Sequence, residues 1–138
     1  MALGIALDML VDGSAEGRLM VLSQGLSFWG GLEPASGMIV DNQHPQRGAC
    51  VGSRILVLPA PRGSTAAPGA LLECLAAGRG PAAIVLAYSD PTAVAAVLAA
   101  SMIDLPAIPV ALIANTDVLA QLPDGQQALV SQGQLMLR

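Results

Sequence analysis

The residues best suited to chemistry are Arg62, Gly63, Ser64 and Thr65, which separate the apolar run Ile55-Leu56-Val57-Leu58 from a helix-forming stretch. A strand would therefore hand the chain to a turn at a helix N-terminus. Free backbone N–H groups and the positive end of the helix dipole favour an anion at such a point. The guanidinium of Arg62 adds a planar fork that matches a carboxylate. Gly63 lets a ligand approach the backbone closely, and Ser64 places a hydroxyl in a field that favours its alkoxide. The same four residues would also make an ordinary helix start, with Ser64 or Thr65 as the cap and Arg62 in solvent.

A second group lies between residues 26 and 45. Phe28, Trp29 and His44, each the only residue of its type, fall within this stretch together with Gly30 and Gly31. Trp29 ahead of two glycines suits a loop that closes over a ligand, or an apolar plug. His44 could bond a substrate or move a proton near neutral pH, or could hold a turn before Pro45.

The elements that must position these groups change period at mid-chain. Residues 3–11, 18–22, 38–40 and 54–58 read as strands, the last buried on both faces. Glycines and prolines from Gly30 to Gly52 mark a loop-rich stretch between them. Residues 65–77 then read as a helix, with Leu71, Leu72, Leu75 and Ala76 apolar, Pro68 tolerated early and Gly78 as the stop. Strands at 82–87 and 109–113, a helix at 92–102 opened by Asp90-Pro91, a short helix at 116–121 and a closing strand pair at 126–131 and 134–137 complete the order. Strand–helix–strand–helix–strand implies right-handed crossovers and a parallel sheet, against which the β-rich first half is expected to pack as a second layer. The expected fold is α/β, a three-layer β/β/α arrangement in one domain spanning residues 1–138.

Composition narrows the function classes. Of 138 residues, 54% are hydrophobic and 12% charged, which excludes a disordered chain and suggests that part of the surface is covered by a partner. Lysine is absent, net charge is −4 and no basic run occurs, so nucleic-acid binding has no electrostatic footprint. No apolar run reaches the ~18 residues of a membrane helix, and the acidic start lacks the cationic entry of a secretory signal. Two cysteines, Cys50 and Cys74, cannot build a disulfide framework and are expected to be reduced and core-packed in a cytoplasmic protein. They are also too few to hold an iron–sulfur cluster, so no metal site is expected in this chain alone.

Taken in order, Ser27-Phe28-Trp29-Gly30-Gly31, Gly37, Asp41, His44-Pro45, Gly48 and Arg62-Gly63-Ser64 resemble the small, swivelling subunit of aconitase X. The similarity continues through residues 71–78, Pro81-Ala82-Ala83-Ile84 and Pro109-Val110. The resemblance implies a mobile swivelling domain of aconitase type and a hydro-lyase. In that family a large partner subunit holds the iron–sulfur cluster and most of the substrate site, and the small domain contributes a catalytic serine, matched here by Ser64. It further implies a heterodimer in which Arg62 anchors a substrate carboxylate while Gly63, Thr65, Trp29, Gly30, Gly31 and His44 line the substrate. Fused forms exist in the family, but a chain with these ends is expected to be a separate subunit.

Dehydrating a hydroxy acid needs a base for the α-proton and a Lewis acid for the hydroxyl, a role an exposed iron can fill. The family's substrates include cis-3-hydroxy-L-proline, favoured here because few arginines are spare for a phosphate, and phosphomevalonate. One departure is the sequence Thr65-Ala66-Ala67-Pro68-Gly69, where the family tends to continue with more serines. Two other classes fit the architecture. A phosphohistidine-carrying swivelling domain needs histidine at the helix entry, where Ser64 stands. A binding-only module would leave Ser64 without a catalytic role.

Overall fold

In a computed structural model, residues 4–60, 67–89, 91–105 and 107–138 are described, without the side chains of Trp29, Ala67 and Pro68. Nine strands are present among them. They are β1 (Gly4–Val11), β2 (Ala15–Val21), β3 (Leu32–Glu33), β4 (Met38–Ile39), β5 (Ile55–Leu58), β6 (Ala83–Leu86), β7 (Val110–Ile113), β8 (Gln127–Ser131) and β9 (Gln134–Leu137). Helices α1 (Phe28–Gly31), α2 (Ala67–Ala76) and α3 (Pro91–Met102) and a 3₁₀ turn at Thr116–Gln121 complete the set.

Strands β2, β5, β6 and β7 run parallel, with Leu19 beside Ile55, Leu56 beside Ile84 and Val85 beside Ala111. The β5–α2–β6–α3–β7 succession gives the parallel core expected from the sequence. Strand β1 borders β7 antiparallel, and β8 and β9 then link β2 back to β1, closing the strands on themselves in the order β1-β7-β6-β5-β2-β8-β9. The second layer is therefore not the first half of the chain. It is built from the C-terminal β8–β9 hairpin together with the N-terminal ends of β1 and β2, while the rest of β1 and β2 belongs to the main sheet. A two-residue turn, Gln132 and Gly133, both at positive φ, makes the hairpin.

Alternation along the central strands divides the core in two. Ile55, Val57, Ala83, Val85, Ala111 and Ile113 face inward between the sheets beside Leu19, with Ala128, Val130 and Leu135 opposite. Leu56, Leu58, Ile84, Leu86 and Val110 face the helices and pack on Leu71, Cys74, Ala93, Ala96 and Val97. This is the three-layer β/β/α arrangement. Every residue of β5 and β6 is buried, as the unbroken apolar runs Ile55–Leu58 and Ala83–Leu86 require.

Gly78 ends α2, as expected. Its φ of 72° lets Arg79 donate to the Cys74 carbonyl at 3.1 Å and Gly78 to the Leu75 carbonyl at 3.1 Å, the double bond of a glycine stop. The two cysteines part company. Cys74 is fully buried beneath α2, whereas Cys50 is exposed, because Val51 takes the core-facing side of this extended segment and turns its neighbour outward.

Candidate functional site

Three segments of the sequence carry the candidate site residues and their supports. The first is residues 26–34, where the expected loop around Trp29 is in fact the short helix α1, followed by the small β3–β4 hairpin. Phe28 anchors this segment in the core with Leu71 and Cys74, so the hinge end of the glycine pair is fixed rather than free. Gly30 is exposed with φ 81°, a conformation that suits glycine, and Gly31 is buried. A Cβ on Gly31 would lie 3.2 Å from Leu26 and within 3.9 Å of Asp41 and Ser27, so the missing side chain allows the segments to meet. Across the junction, Val40 donates to the Gly31 carbonyl at 2.9 Å.

The second segment is residues 41–48. His44 is 3% exposed, and both ring nitrogens are engaged within the chain. Gln46 N–H donates to Nδ1 at 3.0 Å, so that nitrogen is unprotonated and Nε2 carries the hydrogen. Nε2 then donates to the Gln24 carbonyl at 3.3 Å. The Gln46 side chain accepts from Ser23 N–H at 3.0 Å and donates to the Val21 carbonyl at 3.0 Å. Together these bonds clamp the 41–48 loop onto the exit of β2. The His44 imidazole thus holds the loop behind the glycine pair, and its nitrogens point into the chain.

The third segment, residues 61–66, joins β5 to α2. Arg62, Gly63, Ser64 and Thr65, the candidate anion and catalytic residues, lie outside the described residues, as do Asp90 and the Trp29 side chain. What surrounds their point of entry is defined. The first turns of α2 and residues 28–34 enclose a cleft of about 400 Å³ lined by Phe28, Gly30, Leu32, Pro34, Gly69, Ala70 and Glu73. The Gly30 end of the glycine pair therefore faces the helix that the Ser64 loop enters, two features far apart in sequence. Glu73 and Pro34 were not singled out from the sequence. The signal for Glu73 was one acid inside the apolar run Leu71-Leu72-Glu73-Cys74-Leu75.

Among the described residues no group of three His, Cys, Asp or Glu side chains could hold a metal ion. The two thiols also sit apart, one in the helix-facing core and one at the surface. Burial raises the Cys74 thiol above its ordinary range, which keeps it protonated and a poor ligand. These residues do not fit an iron–sulfur cluster. No helix among the described residues is long and apolar enough to cross a membrane.

A β/β/α body with a glycine-edged cleft beside the first turns of α2 fits a swivelling domain of the aconitase type. The sequence model of the aconitase X swivel domain matches residues 5–137, and the chain belongs to that family. It is 46% identical over 81 residues to a cis-3-hydroxy-L-proline dehydratase of Pseudomonas aeruginosa, covering 59% of this chain and 14% of that protein. It is 28% identical over 128 residues to the phosphomevalonate dehydratase small subunit of Methanothermobacter thermautotrophicus, covering 91% of this chain and 92% of that one. The chain thus spans about one seventh of the first relative and nearly all of the second. In three dimensions it superposes on the crystal structure of aconitase X from Thermococcus kodakaraensis, holo-form, with a TM-score of 0.83 and 27% identity over 99% of this chain and 98% of that chain.

Proposed function

We infer that the chain is the swivelling small subunit of a cytoplasmic hydro-lyase that dehydrates a hydroxy acid, with cis-3-hydroxy-L-proline as substrate. The observation that carries this is the family match over residues 5–137, with the ordered set Trp29-Gly30-Gly31, His44-Pro45 and Arg62-Gly63-Ser64 inside it. In this reading a large subunit holds the iron–sulfur cluster, and the small subunit swivels onto it to close the site.

The roles of this chain's residues follow from their chemistry. Arg62 receives the substrate carboxylate in a two-bond fork, which fixes the α-carbon beside the helix entry. Gly63 and Thr65 contribute a backbone N–H without a side chain and a second hydroxyl toward the substrate. Ser64 Oγ, as its alkoxide, takes the proton from the carbon next to the carboxylate, the C–H electron pair forms the double bond, and the β-hydroxyl leaves as hydroxide, for which the large subunit's cluster would supply the Lewis acid. An unaided serine is a poor base at neutral pH, so the helix terminus, Arg62 and a closed, water-poor site must favour the alkoxide. Trp29, Gly30 and Gly31 cover the substrate, and His44 contributes by holding the loop behind them.

One observation favours phosphomevalonate instead. The alignment with the Methanothermobacter small subunit runs over nearly the whole of both chains. Co-expression with the neighbouring large-subunit gene, an iron assay on the complex and a dehydration assay with both substrates decide between them. A complex that contains iron and dehydrates cis-3-hydroxy-L-proline is the expected result. A stable complex that dehydrates neither compound would leave the binding-only role as the better account.

A further inference from the structure

The small β3–β4 hairpin and the loop after it leave an apolar face in solvent. Residues alternate along this extended segment, so Ile39 is buried while Met38 and Val40 both point outward, 36% and 37% exposed. Cys50 pairs antiparallel with Met38 and is exposed as well, which places its thiol on the same face.

A cation stands beside these side chains. Met38, Ile39, Val40, Asn42, Arg47 and Gly48 line a shallow depression of about 410 Å³. Gly48 leaves its floor open, with no heavy atom within 4 Å of a Cβ placed there. Arg47 donates from one terminal nitrogen to Asn42 Oδ1 at 3.0 Å, which fixes the direction of the guanidinium. Among the described residues no carboxylate pairs with it. Glu33 lies on the opposite flank of β4, where it accepts from the Ser36 hydroxyl at 2.6 Å. The rest of the Arg47 fork can therefore meet a carboxylate from outside the chain. Methionine and arginine beside exposed apolar surface are the composition of a protein interface.

Position says which protein. Val40 N–H donates to the Gly31 carbonyl at 2.9 Å, so this face runs on directly from the Gly30-Gly31 pair. In the function proposed above, that pair is turned toward the large subunit.

We propose that the Met38–Val40–Arg47 face is a docking surface for the large subunit. The partner seats an apolar side chain on Met38 and Val40 and places a carboxylate on Arg47. This rests on the small-subunit reading above.

The test uses complexes co-purified with the large subunit, diluted in series and followed by size-exclusion chromatography to obtain Kd. Arg47→Glu sets two like charges together and should raise Kd at least about tenfold. Val40→Ser removes apolar contact and should raise it about threefold or more, while Arg47→Lys, which keeps the charge without the fork, should fall between Arg47→Glu and the parent. Met102→Ser, at an 84% exposed position ending α3, should leave Kd within about twofold. In the parent complex, which needs no substitution, alkylation of Cys50 should be about tenfold slower than in the free chain. Parent-like Kd values for Arg47→Glu and Val40→Ser, equal alkylation of Cys50 in both states, or an equal loss in Met102→Ser would each overturn the proposal. A parent complex that still dehydrates its substrate then leaves the small-subunit reading standing. A chain that forms no complex with the large subunit overturns both.

Discussion

Replacing His44 with alanine separates a loop-holding imidazole from a substrate-contacting one. The ring is 3% exposed, accepts from Gln46 N–H at 3.0 Å and donates to the Gln24 carbonyl at 3.3 Å. Truncation leaves both backbone groups without partners. A buried polar group left unpaired costs about 1–3 kcal/mol, and these bonds are only part-buried, so the lower end applies to each. With the lost packing of the ring the expected destabilisation is about 2–3 kcal/mol. For 138 residues the entropy of unfolding is about 0.3 kcal/mol per degree, so the melting temperature should fall by roughly 7–10 °C. Circular dichroism melts of the chain alone measure this without the partner. His44→Gln, which can restore one bond, should recover part of the loss. If His44→Ala melted within about 2 °C of the parent while the assembled complex lost its activity, the positioning role would be refuted and direct contact with substrate favoured.

Other expectations follow from the same packing. Gly37 has φ 75°, and a Cβ there would sit 2.6 Å from the Arg79 carbonyl oxygen, so Gly37→Ala should cost at least about 2 kcal/mol, read as a lower urea midpoint. A thiol reagent should modify Cys50 in the native chain and reach Cys74 only after unfolding, because Cys50 is exposed and Cys74 buried; two fast-reacting thiols would contradict this. Burial raises the Cys74 thiol in the folded state. The unfolded chain therefore releases that proton first, and this part of the stability is intact below the ordinary cysteine value of about 8.5 and lost as pH rises beyond it. Urea titrations from pH 7 to 10 should show the decline, and Cys74→Ala should flatten it.

Much of the frame was legible because its cause is local. The runs at 55–58 and 83–86 could be read as doubly buried strands from their unbroken apolar character. Gly78 marked the end of α2 because only glycine takes that φ without cost. What composition cannot show is which layer a strand joins. Leu19 to Val21 pair with β5, while Ala15 to Arg18 pair with β8, and nothing in β2 itself announces that division. The short helix at Phe28–Gly31 was hidden because two glycines disfavour a helix, and contacts distant in sequence, the burial of Phe28 and the Val40 bond to the Gly31 carbonyl, hold them there. At the site, His44 was visible as a lone imidazole, but its function in the fold depends on Gln24 and Gln46, residues ordinary in isolation.

The central claim is that this chain brings the base of a dehydration reaction to a site completed by a larger subunit. Ser64→Ala in the assembled, iron-loaded complex tests it most directly, with the amount of co-purified partner as the control for folding. We expect the partner to bind as before and kcat to fall by about 10²- to 10⁴-fold, the range that a positioned proton acceptor supplies. A Ser64→Ala complex that dehydrates its substrate at the parent rate would contradict the claim and leave this chain a binding module.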